Sequence, residues 1–178
     1  MNALVAQSYG AGRLDRCAPA TFQALLLSLI SYPILLFVSP LIRNLFVYSG
    51  HGPKQIELEY LYFKTLMYGS VFFVLRSAMT GFFLGIGRTR TVMVANLIGM
   101  FVNIPANYLL IYGAFGFPAW GMKGAAIGTI FGAATTLLIL VLSYLKASHR
   151  KTYGTHLFTG LDRLLMKKLL RFGTPAGV

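Results

Sequence analysis

Arg76 and three asparagines are the residues of this sequence best suited to bind a polar partner inside an apolar segment. Arg76 stands in a long apolar run, ten residues before its end at Ile86, which is about 15 Å along a straight helix. Asn96, Asn103 and Asn107 are spaced by seven and four residues, so they share one helix face. Because guanidinium and amide groups are costly in apolar surroundings, they should face other helices or a wet cavity. For the asparagines, structural contacts and substrate contacts remain equally open.

Groups that could support catalysis or hold a metal ion are sparse. No nucleotide-binding loop, Ser/His/Asp constellation or metal motif is visible, so the sequence predicts no enzyme, no cofactor and no metal site. The only cysteine cannot form an internal disulfide, and the histidines are interpreted as ordinary loop residues: Cys17; His51, His149 and His156. A carboxylate partner for Arg76 must come from outside the chain, because every acidic residue is expected in a loop: Asp15, Glu57, Glu59 and Asp162.

Four long apolar runs must position these residues. The chain is 56% hydrophobic and 11% charged, whereas soluble domains carry about 25% charged residues. About 20 apolar residues in a helix cross the hydrocarbon core of a membrane, and backbone in lipid must satisfy its own hydrogen bonds. The sequence therefore predicts an all-α integral membrane fold with four full transmembrane helices: Ala20–Ile42, Leu61–Ile86, Val92–Tyr112 and Gly124–Leu145.

Basic residues between the runs set the predicted orientation. The net charge is +12, and eleven of the sixteen Lys/Arg fall in residues 10–19, 87–91 and the tail 146–172. The positive-inside rule places these three segments in the cytoplasm. Lys64 lies near the outer end of its run and can reach the interface. Membrane topology therefore explains the basic residues better than nucleic-acid binding does.

Small residues and prolines inside the runs predict how the helices meet. Gly81 and Gly85 form one GxxxG pattern, and a three-glycine ladder follows in the last run: Gly124, Gly128 and Gly132. Such patterns permit close helix contact, within the chain first and between chains second. Pro33 and Pro105 each remove a backbone donor and favour a kink, as a packing feature or a hinge.

The two ends are predicted to be partial helices. Residues 1–12 have the composition of the last turns of a helix, and no signal peptide is visible. The apolar residues of Leu161–Phe172 recur with helical spacing among basic ones, which predicts an amphipathic helix in the cytoplasmic interface. Residues 173–178 then become apolar, as at the beginning of a further span.

Five segments, taken in order, resemble the multidrug and toxic compound extrusion (MATE) family of transporters. They are Asn2–Gly12, Gly81–Thr91, Asn103–Gly113, Gly116–Ala126 and Arg171–Gly177. Each is weak alone, but their order and spacing extend over nearly the whole chain. The chain is similar to the stretch from the end of the second helix of this family to the start of the seventh.

The resemblance implies a secondary antiporter that exports cationic, amphipathic organic molecules in exchange for Na⁺ or H⁺. It also implies a twelve-helix fold of two lobes in the lipid bilayer. Residues 1–145 would be a partial N-terminal lobe, 146–172 a cytoplasmic linker and 173–178 the start of helix seven. A second lobe outside this sequence would complete the cavity. The coupling carboxylates that many members carry on helices one and seven would also lie outside it.

Three other functions are compatible with parts of the sequence. A flippase of the same broad superfamily, moving lipid-linked sugars, should have a more cationic cavity than one arginine provides. A membrane scaffold without transport activity would use the GxxxG faces for dimerisation. A small four-helix multidrug exporter needs a membrane glutamate and a shorter chain, and this sequence has neither.

Overall fold

The structure, a computed structural model, describes residues 1–47, 50–155, 165–167 and 169. Two 3₁₀ turns, Leu14–Arg16 and Ala114–Gly116, connect longer elements. In this described part the helices are α1 Asn2–Gly10, α2 Cys17–Val47, α3 Pro53–Gly85, α4 Thr89–Tyr112, α5 Met122–Tyr144 and α6 Ala147–Tyr153. The helices α2 to α5 are each long and apolar enough to cross a membrane. The predicted all-α integral membrane fold is confirmed.

The helices extend beyond the apolar runs, which corrects two expectations. α3 begins at Pro53, so Glu57 and Glu59 lie on its first turns and not in a loop. α2 begins at Cys17, inside the predicted first loop. Hydropathy marks only the part of a helix that lies in lipid, whereas the backbone can stay helical in water. At α3, Gly52 caps the helix in an extended conformation and Pro53 occupies its first turn, where the missing proline N–H costs nothing.

α5 holds the bundle together. α3 and α4 both pack against it, α2 packs against α3, and α1 lies across one end of α3. The core residues gather near the junction of α1, α3 and α5 and include Val5, Phe82, Phe83 and Leu140. The lipid-exposed sides of α2 and α4 carry large apolar groups such as Phe37 and Phe101. An apolar exterior around a bundle of this kind is what a membrane protein presents to lipid.

Proline lies within two of the spanning helices. Pro33 is in α2, together with Pro40, and Pro105 is in α4. The helix continues on both sides of each proline. The kinks expected at Pro33 and Pro105 stay a prediction.

The segment after α5 begins with a short helix, α6, that the sequence did not predict. His149, expected in a loop, lies in α6 and is buried. α6 forms because it folds back on the bundle, where the Thr155 hydroxyl donates a hydrogen bond to the Tyr144 carbonyl oxygen. α6 also contacts the Leu14–Arg16 turn, so the first connection and the tail lie at one end. His156, Asp162, most of the predicted amphipathic helix Leu161–Phe172 and residues 173–178 lie outside the described residues.

Cysteine labelling should verify the predicted orientation. In a Cys17→Ser background, a membrane-impermeant maleimide should label Phe115→Cys in intact cells, because Phe115 is exposed in the α4–α5 connection. It should label Arg90→Cys, at the exposed start of α4, only after the membrane is permeabilised, because the basic segment 87–91 is predicted to be cytoplasmic. Labelling of Arg90→Cys from outside, with protection of Phe115→Cys, would reverse the topology.

Candidate functional site

A polar groove of about 490 Å³ lies between α3 and α4, with α5 as its floor. Three of the four polar residues singled out in the sequence, Arg76, Asn96 and Asn103, line it. Its complete lining is Phe73 and Arg76 from α3, Asn96, Gly99, Met100 and Asn103 from α4, and Thr129, Gly132, Ala133 and Thr136 from α5. The residues come from three separate helices, so only the packed bundle creates this site.

The groove lies near the middle of the spanning helices. Arg76 is nine residues before the end of α3 at Gly85, or about 14 Å along the axis. Gly132 is ten residues after the start of α5 at Met122, or about 15 Å. An open polar groove at that depth is costly against lipid, which favours a role in binding or passage.

Glycines bring α4 and α5 close enough to form the groove floor. A Cβ on Gly132 would lie 2.8 Å from the Asn103 Cβ and 3.0 Å from the Gly99 carbonyl oxygen. A Cβ on Gly99 would collide with the Thr136 hydroxyl. One turn earlier on α5, a Cβ on Gly128 would meet the side chain of Asn107. The α5 glycines therefore pack within the chain, against α4.

Asn107 does not line the groove, but it contacts Asn103, which does. Its Nδ2 donates a hydrogen bond to Asn103 Oδ1 over 3.2 Å. Its own Oδ1 is buried beside Gly128 and lacks a hydrogen-bond partner among the described residues. This hydrogen bond occupies Asn103 Oδ1 and leaves its Nδ2 free to bind another group.

Arg76 is the charged residue of the groove. Its side chain is half-buried, and its guanidinium carbon lies 6.0 Å from the centre of the Phe73 ring. None of the lining residues is acidic. Within the described residues Arg76 has no ion pair, since the one recorded there joins His51 Nδ1 to Glu59 Oε1 at 2.9 Å.

The GxxxG pattern of α3 packs against a different helix. A Cβ on Gly81 would lie 3.1 Å from the Met1 side chain, and one on Gly85 would lie 2.6 Å from the Val5 Cβ. These glycines therefore seat α1 on α3. They play no part in the groove.

Sequence reasoning did not single out several lining residues. Gly99 and Met100 lie between Asn96 and Asn103 on the same helical face, and that spacing could have indicated them. Thr129 and Thr136 are seven residues apart and share a face with Gly132 in the same way. A threonine whose hydroxyl donates a hydrogen bond to its own helix is common in membrane spans, so its presence in an apolar run does not by itself indicate a site. Thr129 donates to the Ala125 carbonyl at 2.9 Å and Thr136 to the Gly132 carbonyl at 3.0 Å.

An aromatic cluster fixes the end of the bundle where α6 docks. Phe82 is fully buried, with ring centres of Tyr144, Phe83 and Tyr153 at 4.8, 5.2 and 5.6 Å. His149 lies against the same rings, and its Nδ1 donates to the Ser143 carbonyl oxygen at 2.7 Å.

Burial raises the pKa of the Tyr153 phenol. The described residues contain no group of His, Cys, Asp or Glu able to hold a metal ion.

Four membrane-length helices and a polar groove at mid-depth define a polytopic membrane protein with polar residues gathered inside its bundle. The family model MatE matches residues 1–109. Because this is more than half of the chain, the chain belongs to the MatE family, and the resemblance read from the five segments is confirmed.

Individual proteins extend this likeness over nearly the whole chain. A "Probable multidrug resistance protein NorM" from Shewanella oneidensis is 33% identical over 97% of the chain, and one from Synechocystis sp. is 30% identical over 98%. A solved structure described as the inward-facing conformation of a multidrug resistance MATE family transporter of the MOP superfamily superposes with a TM-score of 0.82, at 26% identity over 98% of the chain. The chain spans 38% of the length of both NorM relatives and 39% of that structure.

Proposed function

We propose that the groove is part of the export path of a secondary antiporter that moves cationic or amphipathic organic molecules out of the cell in exchange for Na⁺ or H⁺. The observation that carries the proposal is the polar groove at mid-membrane depth, assembled from three spanning helices. Membership of the MatE family supports transport as the activity. The names of the NorM relatives, as multidrug resistance proteins, support organic molecules as the cargo.

The lining suits amphipathic cargo. Phe73 and Met100 offer apolar surface, whereas Asn96 and Asn103 offer hydrogen bonds. Binding sites for small organic molecules combine apolar walls with a few polar groups in this way. Specificity for one compound would need more fixed contacts, so a site of this composition favours a range of related molecules.

The groove is open on one side, and a second lobe outside this sequence would close it. In this proposal residues 1–145 belong to the N-terminal lobe, 146–172 to the cytoplasmic link between lobes and 173–178 to the start of helix seven. The docking of α6 on the first connection supports a link that leaves the lobe at its cytoplasmic end. The ion-coupling carboxylates would come from outside the chain. None of the three acidic residues within the described part, Asp15, Glu57 and Glu59, lines the groove.

Ethidium efflux tests the proposed function. Cells that express the natural protein from its complete reading frame should expel ethidium faster than cells without it, and collapsing the coupling gradient should abolish the difference. Asn96→Leu should slow this efflux severalfold, because it removes an exposed amide from the groove. Asn2→Leu, at an exposed asparagine outside the groove, should not. Efflux that continues after both the Na⁺ and H⁺ gradients are collapsed would exclude antiport.

A further inference from the structure

We propose that the groove recognises a carboxylate on the transported molecule, with Arg76 as its ion-pair partner and the amides of Asn96 and Asn103 as hydrogen-bond donors. The inference rests on the proposed export function and specifies the cargo: amphipathic molecules that carry one carboxylate, alone or together with a cationic group.

The charge balance of the groove is the first argument. Its ten lining residues include one cation and no anion. An arginine at this depth is costly unless a counter-charge or water accompanies it. The Phe73 ring lies 6.0 Å from the guanidinium carbon, and none of the described lining residues supplies a negative charge. A bound carboxylate would compensate the charge of Arg76, whereas a cation without a carboxylate would gain no ion pair there.

The hydrogen-bonding groups of the groove are the second argument. Asn103 Oδ1 already accepts from Asn107, so Nδ2 is the part of Asn103 that is free to bind a ligand. The Thr129 and Thr136 hydroxyl hydrogens are directed to carbonyl oxygens of their own helix. The Arg76 guanidinium and the two amide nitrogens are therefore the available donors. A carboxylate accepts hydrogen bonds and donates none, so it is a suitable partner for these donors.

The number of charges identifies the kind of anion. One guanidinium binds one carboxylate through two parallel hydrogen bonds. A lipid-linked diphosphate carries more negative charge than a single arginine can balance. Phe73 and Met100 lie beside the donors and supply apolar surface for the organic part of the molecule.

Two dyes that differ at one group provide the test. Rhodamine 110 carries a free benzoate, and rhodamine 123 is its methyl ester. Binding is measured by fluorescence anisotropy on the natural protein in phosphatidylcholine nanodiscs. We expect rhodamine 110 to bind about tenfold more tightly, the effect of one charge-assisted hydrogen-bond pair. Arg76→Gln should reduce this ratio to about one while rhodamine 123 binding stays within about twofold, and Arg76→Lys should keep part of the ratio.

Two further variants distinguish loss of the carboxylate site from misfolding of the protein. Asn96→Asp at an exposed position places a carboxylate in the groove, so it should pair with Arg76 and abolish the preference for rhodamine 110. Lys64→Gln makes the same charge change on α3 at an exposed residue outside the groove, and it should leave the ratio unchanged. A ratio near one in the unmodified protein, or one that Arg76→Gln and Asn96→Asp both leave intact, would overturn the inference.

The remaining outcomes separate this inference from the proposed function. Gradient-coupled export of rhodamine 123 without a carboxylate preference would support antiport and contradict the carboxylate site. A preference that depends on Arg76, without gradient-coupled movement of either dye, would support the site and contradict antiport. Loss of the preference in nanodiscs that contain phosphatidylglycerol would identify an anionic lipid as the occupant, against the inference.

Discussion

Replacing Gly124 by alanine is expected to separate α5 from α4 and to leave little folded protein. A Cβ at this position would collide with the Leu110 carbonyl group and lie 3.0 Å from the Ile111 nitrogen. The Leu110 oxygen also accepts a hydrogen bond from the Trp120 nitrogen at 2.9 Å, so this backbone cannot easily move aside. Overpacking typically costs about 1–3 kcal/mol, and collision with backbone should reach the upper end. The apparent melting temperature and the monodisperse fraction on fluorescence-detected size exclusion would measure the loss.

Gly10→Ala is the matched control for this prediction. Gly10 is also helical, and a Cβ there meets nothing within 4 Å. It should therefore match the unmodified protein in melting temperature and in monodisperse fraction. Equal behaviour of Gly124→Ala and Gly10→Ala would contradict the close α4–α5 contact on which the groove depends.

Truncating Phe82 to alanine is expected to release α6 and loosen the end of the bundle. The Phe82 ring is fully buried and contacts rings from α3, α5 and α6. Removal of a buried aromatic ring typically costs about 3–5 kcal/mol, because it leaves a cavity that neighbours fill only in part. The apparent melting temperature should fall by more than that of any variant proposed within the groove. Protease cleavage after Arg150 or Lys151 on α6 should become faster.

Two phenylalanine variants delimit this effect. Phe101→Ala removes the same ring from a residue that is 67% exposed, so it should change the melting temperature little. Phe82→Leu retains most of the volume and should lose less stability than Phe82→Ala. If Phe82→Ala and Phe101→Ala melted alike, the aromatic cluster would not be what anchors α6.

Much of the architecture could be predicted from the chain alone. A backbone in lipid must form its hydrogen bonds within its own segment, as a helix does. The four apolar runs therefore indicated α2 to α5 without knowledge of any tertiary contact. The helix ends were less predictable. α3 begins at Pro53, before its apolar run, because residues that favour a helix N-terminus can start a helix in water. Hydropathy detects only the apolar part of the helix. α6 and the burial of His149 depend on docking against Phe82 and Phe83, which lie far away in the sequence.

The candidate site was predictable only in part. Helical spacing placed Asn96, Asn103 and Asn107 on one face of α4, and membrane cost identified Arg76 as exceptional. Spacing along one helix could not show that Asn107 turns toward Asn103 and Gly128 and leaves the groove lining. It also could not show which helix the glycines of α3 and α5 would meet, since a GxxxG pattern specifies close approach and not the partner.

The sequence by itself determined the membrane as the solvent, the four spanning helices and the residues too polar to face lipid. Each of these follows from the transfer of groups between water and hydrocarbon, which depends on local composition. The tertiary structure decided which polar residues share a site. α5 carries small residues where α4 crosses it, and α3 packs against the same helix. Arg76 of α3 therefore lies in the same groove as Asn96 and Asn103 of α4. That convergence depends on contacts between distant segments, which local composition does not specify.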